Sequence, residues 1–322
     1  MKYRRLGRSG LQVSEIALGS WLTHDDPAQA AAAEAVIHKA YELGINYFDT
    51  ANMYADGEAE RIMGRALAGY ERDSYVIGTK VYFDMGEGPN RGGLSRKHIM
   101  EQCEASLKRM GADYIDLYYC HRYDENTPLD ETLRAMDDLV TQGKVLYVGI
   151  SEWREWQIAE AAGLAERLHL DPIVVNQPEY NMFTRRIEAD IVPMCEKQGI
   201  GQVVFSPLAH GVLSGKYRKG RELPEGSRAT NPEHNHWIRS QGLLSEQRLE
   251  QIERLIGVAE QLGLTLVQLA LAWNLRLPNI SSCIIGATGP EQVEQNAAAS
   301  GIALPDDVLA QIEGILAKSN MA

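Results

Sequence analysis

The sequence predicts an α/β fold, a single (β/α)8 TIM barrel with an N-terminal β-hairpin and long rim loops. Eight apolar, β-rich runs alternate with amphipathic helical stretches from one end of the chain to the other. Strands alternating with helices form a parallel sheet, and eight of them suggest closure into a barrel. Residues able to move protons recur at the C-terminal ends of these runs, the rim on which such barrels place their sites. No stretch resembles a linker or a low-complexity tract, so residues 1–322 are read as one domain.

The elements follow in order. Leu6-Gly7-Arg8-Ser9-Gly10-Leu11 is a hairpin turn signal, and the strand runs are 16–19, 45–50, 75–80, 115–121, 145–151, 173–177, 203–207 and 282–287. Between them apolar residues recur with the helical period: Ala33, Val36, Ile37, Ala40 and Tyr41, then Ile99, Cys103, Leu107 and Met110, then Leu129, Leu133, Met136 and Val140. These stripes are expected to face the barrel. Pro128 sits near a helix start, and Gly44 and Gly111 just past helix ends. Two connections, 82–93 and 209–245, are longer than a barrel requires, and loops of that kind are usually lids or binding loops.

Hydrophobic residues at 44% and charged residues at 24% are those of a globular protein with ample core. No apolar run follows the basic N-terminus, so no secretory signal is expected. No run approaches the roughly 18 apolar residues of a membrane span, and a cytoplasmic location is the expectation. A net charge of −12 argues against nucleic acid or an anionic membrane as a general partner, so an anionic ligand needs a locally basic pocket. Cys103, Cys120, Cys195 and Cys283 are widely spaced in apolar runs and read as buried free thiols. His234 and His236 have no cluster to complete a first shell, so no metal is expected, and His24, His38, His98 and His169 read as structural.

Four residues carry the chemistry. Asp49 and Tyr54 lie in Phe48-Asp49-Thr50-Ala51-Asn52-Met53-Tyr54, Lys80 closes Tyr75-Val76-Ile77-Gly78-Thr79-Lys80, and His121 closes Tyr114-Ile115-Asp116-Leu117-Tyr118-Tyr119-Cys120-His121. A free phenol titrates near ~10, so an unassisted Tyr is a poor acid at neutral pH. A nearby ammonium lowers that value, and a carboxylate beside the Lys keeps it charged and in place. Asp49, Lys80 and Tyr54 are read as this relay, with His121 orienting a carbonyl or sharing the proton. Each alone has a bland reading as a strand-end cap or ion pair; together, at successive strand ends, they point to a site.

In type, order and strand context these four match the catalytic tetrad of the aldo-keto reductases, which the chain resembles over nearly its whole length. The likeness is strongest to the branch of potassium-channel β-subunits and bacterial glyceraldehyde-phosphate reductases. It is carried by Ala17-Leu18-Gly19-Ser20-Trp21, Gly92-Gly93-Leu94-Ser95-Arg96-Lys97-His98-Ile99, Asn176-Gln177-Pro178-Glu179-Tyr180-Asn181, Ser206-Pro207-Leu208-Ala209 and Gly211-Val212-Leu213-Ser214-Gly215-Lys216-Tyr217. The resemblance implies NADPH-dependent reduction of aldehydes or ketones with Tyr54 as general acid, and it explains why no Gly-x-Gly-x-x-Gly follows the first strand.

The phosphate site of such barrels is built from the loops after strands seven and eight. Here those loops hold Ser206, Leu208, Lys216, Ser227 and Arg228, then Gly286, Thr288, Gln292 and Asn296. A helix start at Pro290 offers backbone N–H groups to phosphate. By resemblance, Lys216 reaches the pyrophosphate, Arg228 with Thr288 and Gln292 surrounds the 2′-phosphate, and Asn296 contacts adenine. Ser151, Asn176 and Gln177 match holders of the nicotinamide carboxamide, and Phe205 stands where an aromatic stacks on the ring. Two departures are Glu152, acidic where the channel-subunit branch is basic, and Phe205, usually Trp or Tyr.

Trp21, Tyr82 and Trp153, with Phe83 and Trp237, are candidate walls for a small carbonyl substrate whose identity the sequence leaves open, as it leaves open a homo-oligomer. The competing reading is a regulatory subunit that senses the redox state of bound nicotinamide. His121 favours the enzyme, because the channel subunits carry Asn there.

Overall fold

The protein is described by a computed structural model covering residues 1–21 and 30–317; His24 lies outside the described residues. An antiparallel hairpin, β1 (Tyr3–Arg5) and β2 (Gln12–Ser14), precedes eight parallel strands. These are β3 (Ile16–Gly19), β4 (Tyr47–Asp49), β5 (Val76–Val81), β6 (Ile115–Cys120), β7 (Val145–Ser151), β8 (Ile173–Gln177), β9 (Gly201–Val204) and β10 (Ile280–Ile285). They pair in chain order, and β10 closes onto β3, making the (β/α)8 TIM barrel that the alternation of strands and helices predicted.

Strand side chains alternate between the two faces of a sheet. Ala17, Tyr47, Val76, Leu117, Tyr119, Val175, Val203 and Ile284 accordingly fill the barrel, and Leu6 and Val13 of the hairpin join that cluster. The hairpin backbone lies so near β9 that a Cβ on Gly201 would come within 2.4 Å of the Gly7 nitrogen.

Helices α1 (Ala30–Glu42), α2 (Glu58–Leu67), α3 (Arg96–Met110), α4 (Leu129–Thr141), α5 (Glu155–Leu168) and α6 (Ile191–Gln198) cover the strands, followed by α7 (His236–Ser240), α8 (Glu246–Gln261), α9 (Leu266–Asn274), α10 (Pro290–Ala297) and α11 (Asp306–Leu316). The sequence of α3 explains its limits. Ser95 caps the first turn by accepting from the His98 N–H, which is worth about 1 kcal/mol. Gly111 ends the helix at φ 63°, a left-handed conformation glycine adopts without steric cost. Between them Ile99, Cys103, Leu107 and Met110 are buried, as the periodicity requires. All four cysteines are buried free thiols.

Strand limits differ from expectation at the rim. The seventh barrel strand ends at Val204, not at residue 207: Phe205 keeps an isolated bridge to Glu179, and Pro207 has no N–H to give a ladder. The 45–50 run likewise shortens to Tyr47–Asp49, and the 282–287 run shifts two residues back to Ile280–Ile285. No single helix among the described residues is long and apolar enough to cross a membrane.

Candidate active site

Asp49 ends β4, Lys80 lies one residue from the end of β5 and His121 follows β6, so three adjacent strands deliver their side chains to the rim. Lys80 is fully buried; its Nζ donates to Asp49 Oδ2 at 2.5 Å and to the Thr50 carbonyl at 2.7 Å. Asp49 Oδ1 accepts from the Gln177 amide at 2.9 Å and the Tyr47 hydroxyl at 3.1 Å, and Tyr47 in turn meets the Tyr119 hydroxyl at 2.9 Å. The carboxylate therefore has a donor for each oxygen, which a buried charge requires.

Tyr54 opens a one-turn 3-10 segment, Tyr54–Gly57, after β4. It is half-buried, its ring centre 5.1 Å from the Lys80 ammonium and 5.9 Å, edge-on, from the His121 ring. The two residues after it, Ala55 (φ 49°) and Asp56 (φ 51°), are both left-handed without being glycine, a conformation costing roughly 1–2 kcal/mol per residue. Among the described residues, the other non-glycine positions with left-handed φ are Asn90, Glu152, Ser206, Ala209, His210 and His169. All but His169 sit in loops on the rim, and strain of this kind concentrates at functional sites.

Electrostatics correct one expectation. Burial pushes the Tyr54 phenol above its ordinary value, and the Lys80 ammonium, aided by Arg122, offsets only part of that rise. The phenol is thus held as the acid form. Burial alone would lower Lys80, but Asp49 and Tyr54 outweigh it and raise it. His121 is pushed well below the ordinary imidazole value by burial and by the Lys80 and Arg122 cations. This shift favours the neutral imidazole, a form suited to hydrogen bonding and not to shuttling a proton.

The expected cofactor residues gather along the loops after β7 to β10, with one exception. Asn176 neighbours Gln177 on β8 and so faces the opposite side of the sheet. Its amide donates to Gln202, a hydrogen-bond neighbour of Cys195 on α6, which places Asn176 toward the helices and away from the barrel mouth. Ser151 donates to the Gln177 carbonyl at 2.8 Å, and half-buried Phe205 sits just past β9. Thr288 and Gln292 bond each other at the start of α10, with exposed Gly286 before them and buried Asn296 near the helix end. Ser206 offers its carbonyl to Asn181, Leu208 is half-buried at the head of the same loop, and Ser227 is buried beside Arg228.

Arg228 is partly buried, its guanidinium 5.7 Å from the Trp21 ring centre, and no carboxylate among the described residues pairs with it or with exposed Lys216. Burial lowers the Arg228 pKa, as it does for any partly desolvated cation. These donors fit a phosphorylated dinucleotide.

Of the expected substrate walls, Trp21 lies under Arg228, and Tyr82 packs edge-on to Phe83. Trp153 is 1% exposed in the hydrophobic core, edge-on to Tyr123 at 4.8 Å, so it supports the rim and lines no open pocket. Phe83 also reaches the reacting groups, 5.0 Å from the His121 ring and 5.6 Å from the Arg122 guanidinium, which donates to the His121 carbonyl at 2.6 Å.

The sequence reading missed a clasp joining three rim loops. Buried Glu179 accepts from Gln241 at 3.2 Å and lies 3.3 Å from His210, while its own N–H donates to Glu152, which pairs with Arg186. Burial alone would raise Glu179, but the bonds to His210 and Gln241 hold it below the ordinary carboxylate value. His210 also stacks on Trp237, which ties the 209–245 segment to the mouth. Glu152 is thereby engaged within the protein, consistent with its departure from a basic residue.

The sequence model of the Aldo/keto reductase family matches residues 15–317. The chain belongs to the aldo/keto reductase family. Two relatives are each named "Probable voltage-gated potassium channel subunit beta". One, from Arabidopsis thaliana, is 43% identical across 98% of this chain and 97% of its own length. The other, from Oryza sativa subsp. japonica, is 41% identical over the same shares. Membership in the aldo/keto reductase family supports an oxidoreductase activity on carbonyls.

Proposed function

We propose that the chain is a cytoplasmic NADPH-dependent reductase of aldehydes and ketones. The observation that carries this reading is the buried Lys80–Asp49 pair set against a half-buried, protonated Tyr54, with a neutral imidazole on the other side. NADPH, when bound, supplies the hydride. The His121 imidazole donates a hydrogen bond to the carbonyl oxygen, which only one of its two nitrogens can do in the neutral form. As negative charge builds on that oxygen, Tyr54 gives up its hydroxyl proton, and the Lys80 ammonium stabilises the phenolate left behind. Asp49, held by Tyr47 and Gln177, keeps Lys80 charged and aimed. Phe205 presents a stacking face, and Lys216 and Arg228 supply the cations that an anionic cofactor needs on a chain of net charge −12.

The pH–rate profile follows from these groups. Reduction needs Tyr54 protonated and His121 neutral, so kcat should be flat between the ordinary imidazole and phenol values of 6.5 and 10.0 and fall only above them. An acid limb near the ordinary imidazole value would show that His121 titrates during turnover.

Arg228 should set cofactor preference, because guanidinium pairs bidentately with phosphate and NADH offers it none. Loss of charge-assisted hydrogen bonds worth about 1.5–3 kcal/mol predicts that Arg228→Ala weakens NADPH binding roughly 10- to 100-fold and leaves NADH nearly unchanged. Fluorescence titration of both nucleotides decides it; equal weakening would remove Arg228 from the 2′-phosphate. Reduction of a panel of aldehydes, followed by loss of nicotinamide absorbance, tests the activity itself.

The names of the relatives, potassium channel subunits, favour a second reading, a regulatory subunit; with nicotinamide bound at this site, its role would be to report redox state. His121 distinguishes the two: His121→Asn should slow aldehyde turnover while NADPH still binds.

A further inference from the structure

Outside the barrel mouth, a cavity of about 470 Å³ opens between α2 and α3, lined by Arg61, Arg65, Ala105, Lys108 and Arg109. Arg61 and Arg65 are four apart on one helix, as are Ala105 and Arg109 on the other, so each helix turns a single face to the hollow. Four of the five lining residues are cationic and none is acidic, on a chain of net charge −12. Arg61 and Arg65 are like charges at i,i+4, which repel, and α3 adds Lys108 and Arg109 to the same cavity. Small Ala105 leaves the space between them open.

The cations are only partly neutralised. Arg109 is committed to buried Glu60 at 2.5 Å, and Arg65 reaches Glu34 at 3.2 Å and Glu58 at 3.5 Å. The carboxylate recorded beside Arg61 is the same Glu58, at 4.0 Å, and exposed Lys108 has no carboxylate partner among the described residues. One glutamate thus serves two arginines, and each guanidinium keeps N–H donors that its carboxylate does not use.

We infer that this cavity is a second anion site, separate from the cofactor site, that takes a small phosphate-bearing polyanion. Guanidinium forks match phosphate oxygens two at a time, and a lysine adds a mobile point charge, so three arginines and one lysine suit clustered phosphates better than a lone carboxylate. The site adjoins the turn that carries Tyr54. The Arg61 guanidinium donates to the Gly57 carbonyl at 3.2 Å, and a Cβ on Gly57, left-handed at φ 87°, would meet Arg109 Cδ at 2.5 Å. Glu60, the partner of Arg109, also accepts from Thr79 at 2.6 Å, next to Lys80. An occupant would touch the side chains that brace both catalytic segments.

The test is calorimetric titration of inorganic pyrophosphate into the full chain saturated with NADP+, so that the cofactor's phosphate sites are filled, with sodium chloride of equal ionic strength as control. One saturable event is expected, weakened at least tenfold in Lys108→Glu and in Arg61→Ala while NADP+ affinity is unchanged. Retained NADP+ affinity shows that both variants fold. Should NADP+ itself not bind, the same comparison without it still locates the site. Heat no greater than that of chloride, or equal binding by wild type and both variants, would overturn the assignment. So would self-association abolished by Lys108→Glu without pyrophosphate binding, which would assign the groove to an acidic face of a second copy.

Discussion

Tyr54→Phe loses carbonyl reduction by about 10²–10⁴-fold, the usual contribution of a positioned general acid, and keeps its affinity for NADPH. The substitution removes one oxygen from a half-buried ring and leaves the edge-on contact with His121 and the approach of the Lys80 ammonium to the ring. The fold therefore has no reason to change. No other group at the mouth replaces the lost proton: His121 is neutral, Lys80 is held by Asp49 and the Thr50 carbonyl, and Tyr47 and Tyr119 lie below the carboxylate with pKa values pushed far up by burial. Steady-state kinetics with a fluorescence titration of NADPH separate the two halves. Full activity in the variant would remove Tyr54 from the mechanism.

Lys80→Met removes activity on a similar scale and, unlike Tyr54→Phe, also unsettles the fold. Deleting one partner of a buried ion pair typically costs about 3–5 kcal/mol, because the other charge is left in a poorly solvated place. Asp49 would keep Tyr47 and Gln177 as neutral donors but lose the only cation recorded against it among the described residues. Adding Asp49→Asn should recover part of the stability and none of the activity, since the stranded charge is gone while the ammonium needed by Tyr54 is still absent. Denaturant unfolding of the single and double variants reads this directly. A Lys80→Met protein as stable and as active as wild type would contradict both roles.

Much of this architecture is legible in the sequence because it rests on period and order. Alternating strand and helix patterns fix the barrel, and four reactive side chains at or just past strand ends converge because closure brings all such ends to one rim. What depends on direction or burial is less visible. Asn176 and Gln177 look equivalent as neighbours in a motif, yet alternation turns one toward α6 and the other onto Asp49. The presence of Lys80 suggests a lowered Tyr54 pKa, but desolvation, which no motif encodes, outweighs it. Trp153 reads as a rim aromatic from its place after β7 and proves to be core. The Glu179–His210–Gln241 clasp joins residues up to 62 apart in a non-periodic segment, where only the local motif around Glu179 gave a signal.

The central claim is that this rim catalyses repeated carbonyl reduction, and counting turnovers tests it most directly. With NADPH and an aldehyde each in hundredfold excess over protein, the account predicts continuous loss of reduced nicotinamide, matched mole for mole by alcohol, until a substrate is exhausted. Oxidation that stops after one equivalent per protein chain would contradict it, and would mark the site as a nicotinamide sensor.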